Sequence, residues 1–334
     1  DIDVLSASRL DDKIAWYEND GSESFAAATI TTSADDARSV YAVDLDGDGD
    51  IDVLSASHGD DKIAWYENNG SESFTAHSIT TSADGGFSVF AADIDNDGDI
   101  DVLSSSGTDS KIAWYENDGS ESFTAATITT SASSARSVYA VDVDGDGDID
   151  VLSASNDDDK IAWYENDGSE SFTAATITTS ADGAKFVYAV DMNGDDDIDV
   201  LSASYLDDTI AWYENNTAPT VSSLSPADGA TGVATTANLV ITFDEEVDAE
   251  SGNITLYKSD DTQIQAFDVT SDISGSGGTA ITIDPTSDLA EQTSYYVQID
   301  ATAFDDASSN TYAGITDKTT WNFTSADETA PTVS

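Results

Sequence analysis

Apolar and polar positions in the first two thirds of the chain alternate in short runs that recur at a fixed spacing. Trp16, Trp65, Trp114, Trp163 and Trp212 stand 49 residues apart throughout, and the stretch KIAWYENDGSESFTAATITTSA is identical at 111–132 and 160–181. Each 49-residue unit therefore reads as one supersecondary block. Within it, the runs 39–43, 51–57, 62–67 and 74–80 predict four strands, A to D, because clusters of Gly, Asp, Asn and Ser punctuate them. Strands A to C carry apolar side chains on both faces, as in Val53-Leu54 and Ile63-Ala64-Trp65-Tyr66. A sheet with one wet face does not need that pattern, whereas sheets stacked face to face do. Short strands in fours, with an aromatic residue at a fixed place, predict a β-propeller and fit a parallel β-helix less well. By the same alternation, the tryptophans and tyrosines of the WYEN segments are expected to pack between blades rather than to form a sugar platform.

Five blades are represented: the first lacks strand A, and the last, 185–216, lacks strand D. The opening Asp1-Ile2-Asp3-Val4-Leu5 repeats the end of a motif seen whole at 44–54, so the chain reads as part of a longer multidomain parent. Either the incomplete ends close a small ring or further blades precede them; the second is expected. After Asn216 the periodicity stops and TAPTVS opens a segment of different composition; the same hexapeptide returns at 329–334. The predicted organisation is thus propeller repeats over 1–216, a second domain over 217–328, and the start of a further copy of it at 329–334. Strand-like runs at 221–224, 237–243, 253–258, 264–269, 279–284, 294–300 and 319–324 suit an immunoglobulin-like sandwich. The expected fold class is all-β, a β-propeller followed by a β-sandwich.

Charge sharpens this picture. The chain has 67 acidic against 10 basic residues, a net charge of -57. Such a surface repels nucleic acid and anionic membranes and attracts divalent cations. Cysteine is absent, and no apolar run approaches the length of a membrane span. Much of the acid lies in a repeated loop between strands A and B. The pattern D-x-D-x-D-G-x-x-D occurs whole at Asp44, Asp46, Asp48, Gly49 and Asp52; at Asp93, Asp95, Asp97, Gly98 and Asp101; and at Asp142, Asp144, Asp146, Gly147 and Asp150. Hard oxygen donors at alternate positions, with glycine at the turn, are the donor set of Ca2+. Asp50, Asp99 and Asp148 at the seventh position are expected to ligate through the main chain. Four carboxylates in one loop form six like-charge pairs, each costing about 1 to 4 kcal/mol at ~4 Å, which a bound cation reverses. An EF-hand is excluded because its twelfth-position Glu is replaced by Ser55, Ser104 and Ser153. A fourth copy, Asp191, Asn193, Asp195, Asp197 and Asp199, has lost the turn glycine and one carboxylate, which predicts a weaker site. Only Asp1 and Asp3 of the motif stand in the first blade, which is not expected to bind.

These loops and their 49-residue frame resemble the FG-GAP or VCBS repeats of integrin-α-like propellers over about residues 1–216. The resemblance implies a calcium ion in each A-to-B hairpin, rigidifying the blade. SPADGATGV at 225–233, ITFDEEV at 241–247 and SYYVQI at 294–299 resemble a bacterial Ig-like domain of the S-layer-associated type. Both modules are similar to parts of large secreted or surface-attached bacterial proteins used in adhesion and polysaccharide handling.

Comparison of the repeats with one another locates a second candidate site. The B-to-C and D-to-A loops vary, and alternation places both on the rim opposite the aspartate loops, together with all eight basic residues of 1–216. Loops held by a rigid scaffold carry binding functions, so Arg9, Arg38, His58, Phe87, Arg136, Lys185 and Tyr205 form a candidate partner-binding rim. No nucleophile and base pairing, phosphate loop or histidine metal site stands out, and no enzyme is expected within these residues. The predicted function is a calcium-binding extracellular adhesion or interaction module for a protein or polysaccharide at the bacterial cell surface. The alternative is a carbohydrate-binding accessory propeller of a secreted polysaccharide-processing enzyme.

Overall fold

A computed structural model describes residues 2–22, 24–194, 197–307 and 309–328. Asp1 and Asp195 of the predicted loops, and the further copy at 329–334, lie outside the described residues. The chain divides into two compact units, Asp1–Met192 with Ile198–Asn215, and Asn193–Asp197 with Asn216–Ser334.

The first unit is a succession of antiparallel sheets, one for each repeat. The first holds β1 (Val4–Ser8), β2 (Lys13–Asn19) and β3 (Phe25–Thr31). Three four-stranded sheets follow: β4 (Ala37–Val43), β5 (Asp52–Ser57), β6 (Lys62–Asn68) and β7 (Phe74–Thr80); β8 (Gly86–Ala92), β9 (Asp101–Ser106), β10 (Lys111–Asn117) and β11 (Phe123–Thr129); β12 (Ala135–Val141), β13 (Asp150–Ser155), β14 (Lys160–Asn166) and β15 (Phe172–Thr178). The last has β16 (Ala184–Val190), β17 (Asp199–Ser204) and β18 (Thr209–Tyr213). The strands missing from the first and last sheets are those the sequence lacks. Each sheet is a meander of neighbouring strands, and the register Tyr41↔Leu54↔Trp65↔His77 sets one side chain of every strand on a common face.

That face explains why the repeats carry apolar residues on both sides. Leu54, Ala56, Ile63 and Trp65 of one sheet pack with Val89, Ala91, Val102, Ala113 and Tyr115 of the next. One repeat later, Leu103, Ile112 and Trp114 meet Val138, Ala140, Val151, Ala162 and Tyr164. The WYEN aromatics therefore do pack between sheets, with Trp65 and Trp114 only 1% and 2% exposed. Tyr41, Phe90, Tyr139 and Tyr188, one from each first strand, form a row of ring contacts at 4.7, 4.7 and 5.0 Å. At the last sheet this packing stops. Ile14, Ile63, Ile112 and Ile161 are fully buried, whereas the equivalent Ile210 is 76% exposed and joins no buried cluster among the described residues.

The second unit is a sandwich of β19 (Val221–Ser225), β20 (Ala230–Val233), β21 (Leu239–Ala249), β22 (Asn253–Lys258), β23 (Gln263–Asp268), β24 (Ile273–Ser274), β25 (Gly278–Ile283), β26 (Ser294–Ile299), β27 (Phe304–Asp305) and β28 (Asn322–Ser325). One sheet runs β19-β21-β25-β24 with β27 on β21, the other β20-β28-β26-β22-β23. Ile241, Phe243, Leu256, Phe267, Val297 and Trp321 fill the space between them. The expected strand at 319–324 begins only at Asn322, because the Asp317 carboxylate binds the N–H groups of Thr319 and Thr320 at 2.6 and 2.8 Å and holds them in a turn. Among the described residues there is no helix, and none long and apolar enough to cross a membrane.

Candidate metal centre and variable rim

The turn from β4 to β5 gathers three of its aspartates. One carboxylate oxygen each from Asp44, Asp46 and Asp48 lie within 4.8 Å of one another, and Asp93, Asp95 and Asp97, and Asp142, Asp144 and Asp146, do the same. Local hydrogen bonds draw the loop into this shape. In the first, Gly49 N donates to Asp44 Oδ2 at 3.0 Å, Asp48 N to Asp46 Oδ1 at 3.1 Å and Asp50 N to Asp48 Oδ1 at 2.8 Å. Gly49 holds φ at +95°, a conformation closed to most side chains.

The electrostatics are those of a cation site. Burial first, and then the charges of neighbouring acids, raise the carboxyl groups of Asp46, Asp95 and Asp144 above the ordinary range. Those neighbours include Glu67 and Glu165 from β6 and β14 and Glu170 from the turn between β14 and β15, which the loop pattern does not reveal. Asp44 Oδ1 and Asp93 Oδ1 are buried with no hydrogen-bond partner. An unpartnered anionic oxygen in a crowded acidic loop is costly unless a cation meets it. These triplets can hold a metal ion.

Asp52, Asp101 and Asp150, the last acids of the pattern, lie elsewhere. They are fully buried, and each uses both oxygens on backbone N–H groups. Asp52 accepts from Leu45 N at 3.0 Å and Asn68 N at 2.7 Å, Asp101 from Ile94 and Asn117 at 3.1 and 2.7 Å, and Asp150 from Val143 and Asn166 at 3.0 and 2.8 Å. They pin the loop to the end of the third strand of their own sheet. Burial pushes Asp101 and Asp150 up to about 6, against the pull of those N–H donors. Asp199 keeps the same two contacts, from Met192 and Asn215, in the altered fourth copy, and Asp3 accepts from Asn19 N and Trp16 Nε1 in the first sheet. Asp191, Asn193 and Asp197 of that fourth copy also have interaction partners, Asp197 accepting from Thr217 N and Oγ1 at 3.0 and 2.8 Å.

The asparagines that donate to these acids also reach backwards. Asn117 Nδ2 binds Leu45 O at 3.3 Å, Asn166 Nδ2 binds Ile94 O at 3.0 Å and Asn215 Nδ2 binds Val143 O at 2.8 Å, each in the loop of the preceding sheet.

Asp50, Asp99 and Asp148 point their carboxylates towards Gly70, Gly119 and Gly168. A Cβ built on Gly119 would stand 2.3 Å from Asp99 Oδ2, and Gly119 has φ +69°. Gly119→Ala is therefore expected to displace Asp99, to lose about 1 to 2 kcal/mol of stability from the left-handed backbone, and to weaken metal binding in the middle loop only. Site-resolved titration would show it, and unchanged affinity at that loop would refute it.

The rim residues also come together, through contacts between each B-to-C loop and the preceding D-to-A loop. His58 N and Gly59 N donate to Asp36 O and Asp35 O at 3.2 and 2.9 Å, and Asn156 N and Tyr205 N make the matching bonds to Ser134 O and Gly183 O. Arg9, Arg38 and His58 surround the Asp36 carboxylate at 2.8, 2.7 and 3.4 Å. Phe87 lies beneath two guanidinium groups, Arg38 at 4.8 Å and Arg136 at 3.9 Å, and meets the His58 ring edge-on. Lys185 stands 4.3 Å above the Tyr205 ring. Asp36 is the member that sequence comparison passed over; its only signal is that the equivalent positions are Gly85, Ser134 and Gly183.

Residues 1–55, 44–104, 94–153 and 142–202 match the FG-GAP-like repeat, so one family accounts for more than half of the sequence. The chain belongs to the FG-GAP-like repeat family. Residues 215–325 of this FG-GAP-like protein match a second family, the bacterial Ig-like domain. No curated protein matches it in sequence. Among solved structures it is similar to an Agrocybe aegerita lectin described in specific recognition of non-reducing terminal N-acetylglucosamine, at 18% identity and a TM-score of 0.43 over 60% of either chain. The FG-GAP-like chain thus spans less than two thirds of that lectin. It is also similar to the V. cholerae biofilm matrix protein Bap1, at 15% identity and a TM-score of 0.43 over 91% of this chain and 65% of that one. A functionally unknown protein from Desulfotomaculum acetoxidans gives 11% identity and a TM-score of 0.42 over 85% and 86%.

Proposed function

We propose that this FG-GAP-like protein is a non-enzymatic, calcium-binding extracellular interaction module. Calcium bound in the loops after β4, β8 and β12 fixes the hairpins, and the variable rim at the other end of the strands presents the ligand-binding surface to a protein or polysaccharide at the cell surface. The observation that carries this reading is the threefold convergence of aspartate oxygens within 4.8 Å, in loops whose backbone is already shaped around them. Asp44, Asp46 and Asp48, and their counterparts, would supply side-chain oxygens, with Asp50, Asp99 and Asp148 adding main-chain carbonyls. Asp52, Asp101 and Asp150 support the loops by holding the backbone. A hard divalent cation in all-oxygen coordination neutralises charge and stiffens the turn. The fourth copy is proposed as a weaker site, because Asn193 replaces a carboxylate.

Titration calorimetry of the whole chain tests the premise. Three calcium ions are expected to bind with dissociation constants on the order of 10⁻⁴ to 10⁻³ M or tighter, with magnesium bound far less well. Heat from no site, or equal affinity for magnesium, would overturn the reading.

A further inference from the structure

The cations of this acid-rich chain are mostly neutralised by design of the repeat. Lys62, Lys111 and Lys160 each pair with the aspartate two residues before, at 2.7 to 3.1 Å, and Arg9 and Arg38 share Asp36. Arg136 and Lys185 depart from this. Where Arg38 has Asp36 two positions earlier, Arg136 has Ser134 and Lys185 has Gly183, so the repeat has lost its counter-ion at these two places. Arg136 Nη2 instead donates to Ser134 Oγ at 2.9 Å, its Nε is buried without a partner, and Lys185 Nζ donates to the Asn156 side-chain oxygen.

A chain of contacts links the two cations, because Asn156, which accepts from Lys185, also donates its backbone N–H to the carbonyl of Ser134, the residue that accepts from Arg136. Arg136 shares the Phe87 ring with Arg38, and burial followed by the charge of Arg136 lowers the proton affinity of Lys185. The Asp157 carboxylate acts on both cations through its charge, but it accepts from the Asn156 amide at 3.1 Å and forms no ion pair with either among the described residues. Cations set over aromatic rings, without a carboxylate ion-paired to either of them among the described residues, form a receptor for an external anion. The neutral hydrogen-bonding groups around it, Ser134, Asn156 and the half-exposed Tyr205, suit hydroxyl groups. The net charge of -57 opposes a densely charged polyanion at longer range, which leaves a ligand with an isolated acid group.

We propose that Arg136 and Lys185, beside Tyr205 on the variable rim, bind the carboxylate of a uronic-acid unit in an acidic saccharide. This rests on the rim being the ligand-binding face and names the chemistry it reads.

The test uses the whole chain with calcium present, titrated with galacturonate, galactose and N-acetylglycine and followed by calorimetry or ligand NMR. Galacturonate is expected to bind at least tenfold more tightly than galactose or N-acetylglycine. Arg136→Gln with Lys185→Gln is expected to abolish that preference, while Lys318→Gln in the second unit leaves it intact; a matching thermal midpoint shows that each variant is folded. Equal binding of galactose and galacturonate, equal binding of N-acetylglycine, or galacturonate affinity indifferent to the double substitution would each overturn the proposal. A neutral glycan that loses binding on Tyr205→Ala while galacturonate fails to bind would sink the acid site yet leave the rim as the ligand-binding face. Glycan binding unaffected by any rim substitution would sink both.

Discussion

Chelation is expected to lower the thermal midpoint of the repeat unit by roughly 15 to 30 °C. Calcium at 100 times its dissociation constant stabilises a folded site by about 2.7 kcal/mol, so three filled loops give about 8 kcal/mol. For a unit of this size each kcal/mol moves the midpoint by about 2 to 4 °C. Differential scanning calorimetry with excess calcium and with EDTA measures the difference, and an unchanged midpoint would remove the structural role assigned to the metal. The response to pH should differ in sign between the two conditions. Asp101 and Asp150 have folded-state values of about 6, above the unfolded value near 3.8. The folded chelated protein therefore binds more protons than the unfolded chain between about pH 6 and 4, and its stability rises as pH falls through that window. With calcium the trend reverses, because protonation of Asp46, Asp95 and Asp144 competes with the ion. Parallel slopes with and without calcium would contradict this.

Asp101→Ala is expected to cost about 2 to 4 kcal/mol in the absence of calcium, despite lying outside the aspartate triplet. The substitution leaves Ile94 N and Asn117 N buried without their acceptor, at about 1 to 3 kcal/mol for each unsatisfied group. Relief from burying a carboxylate offsets part of that loss. Asp101→Asn retains one acceptor but turns an amide donor towards the second N–H, so it should fall between wild type and alanine. Urea unfolding of the chelated protein would report a lower midpoint at unchanged slope. A loss below about 0.5 kcal/mol for the alanine variant, the range of ordinary surface changes, would mean that Asp101 does not brace the loop.

Most of the repeat architecture was legible because it is written many times. Period 49 fixes the sheet unit, two-sided apolar strands demand stacking, and turn residues mark the ends. The sandwich was less so. β20, β24 and β27 are two to four residues long, too short for an alternation to register, and they exist because neighbouring strands offer free backbone edges. In the loops, spacing identified every aspartate but could not separate the side chains that converge from those that brace. Asp52 and Asp48 look alike in a pattern of alternating acids; only the fold places the N–H groups of Leu45 and Asn68 beside the first. The rim posed the opposite difficulty. Arg136 and Lys185 were visible as variable basic residues, but the loss of their counter-ion emerges only once Arg38 is seen paired with Asp36.

Asn117, Asn166 and Asn215 join the aspartate loops into one connected relay. From Leu45 O the path runs through Asn117 to Asp101 and Ile94, from Ile94 O through Asn166 to Asp150 and Val143, and from Val143 O through Asn215 to Asp199. An ion that orders one loop thereby fixes the carbonyl on which the next sheet's asparagine closes, and part of the ordering entropy of the second loop is already spent. In a one-dimensional array with nearest-neighbour coupling, that makes filling collective. The consequence is a steep response: over a narrow span of calcium concentration the whole stack would pass from slack to rigid, acting as a threshold device rather than as three separate buffers.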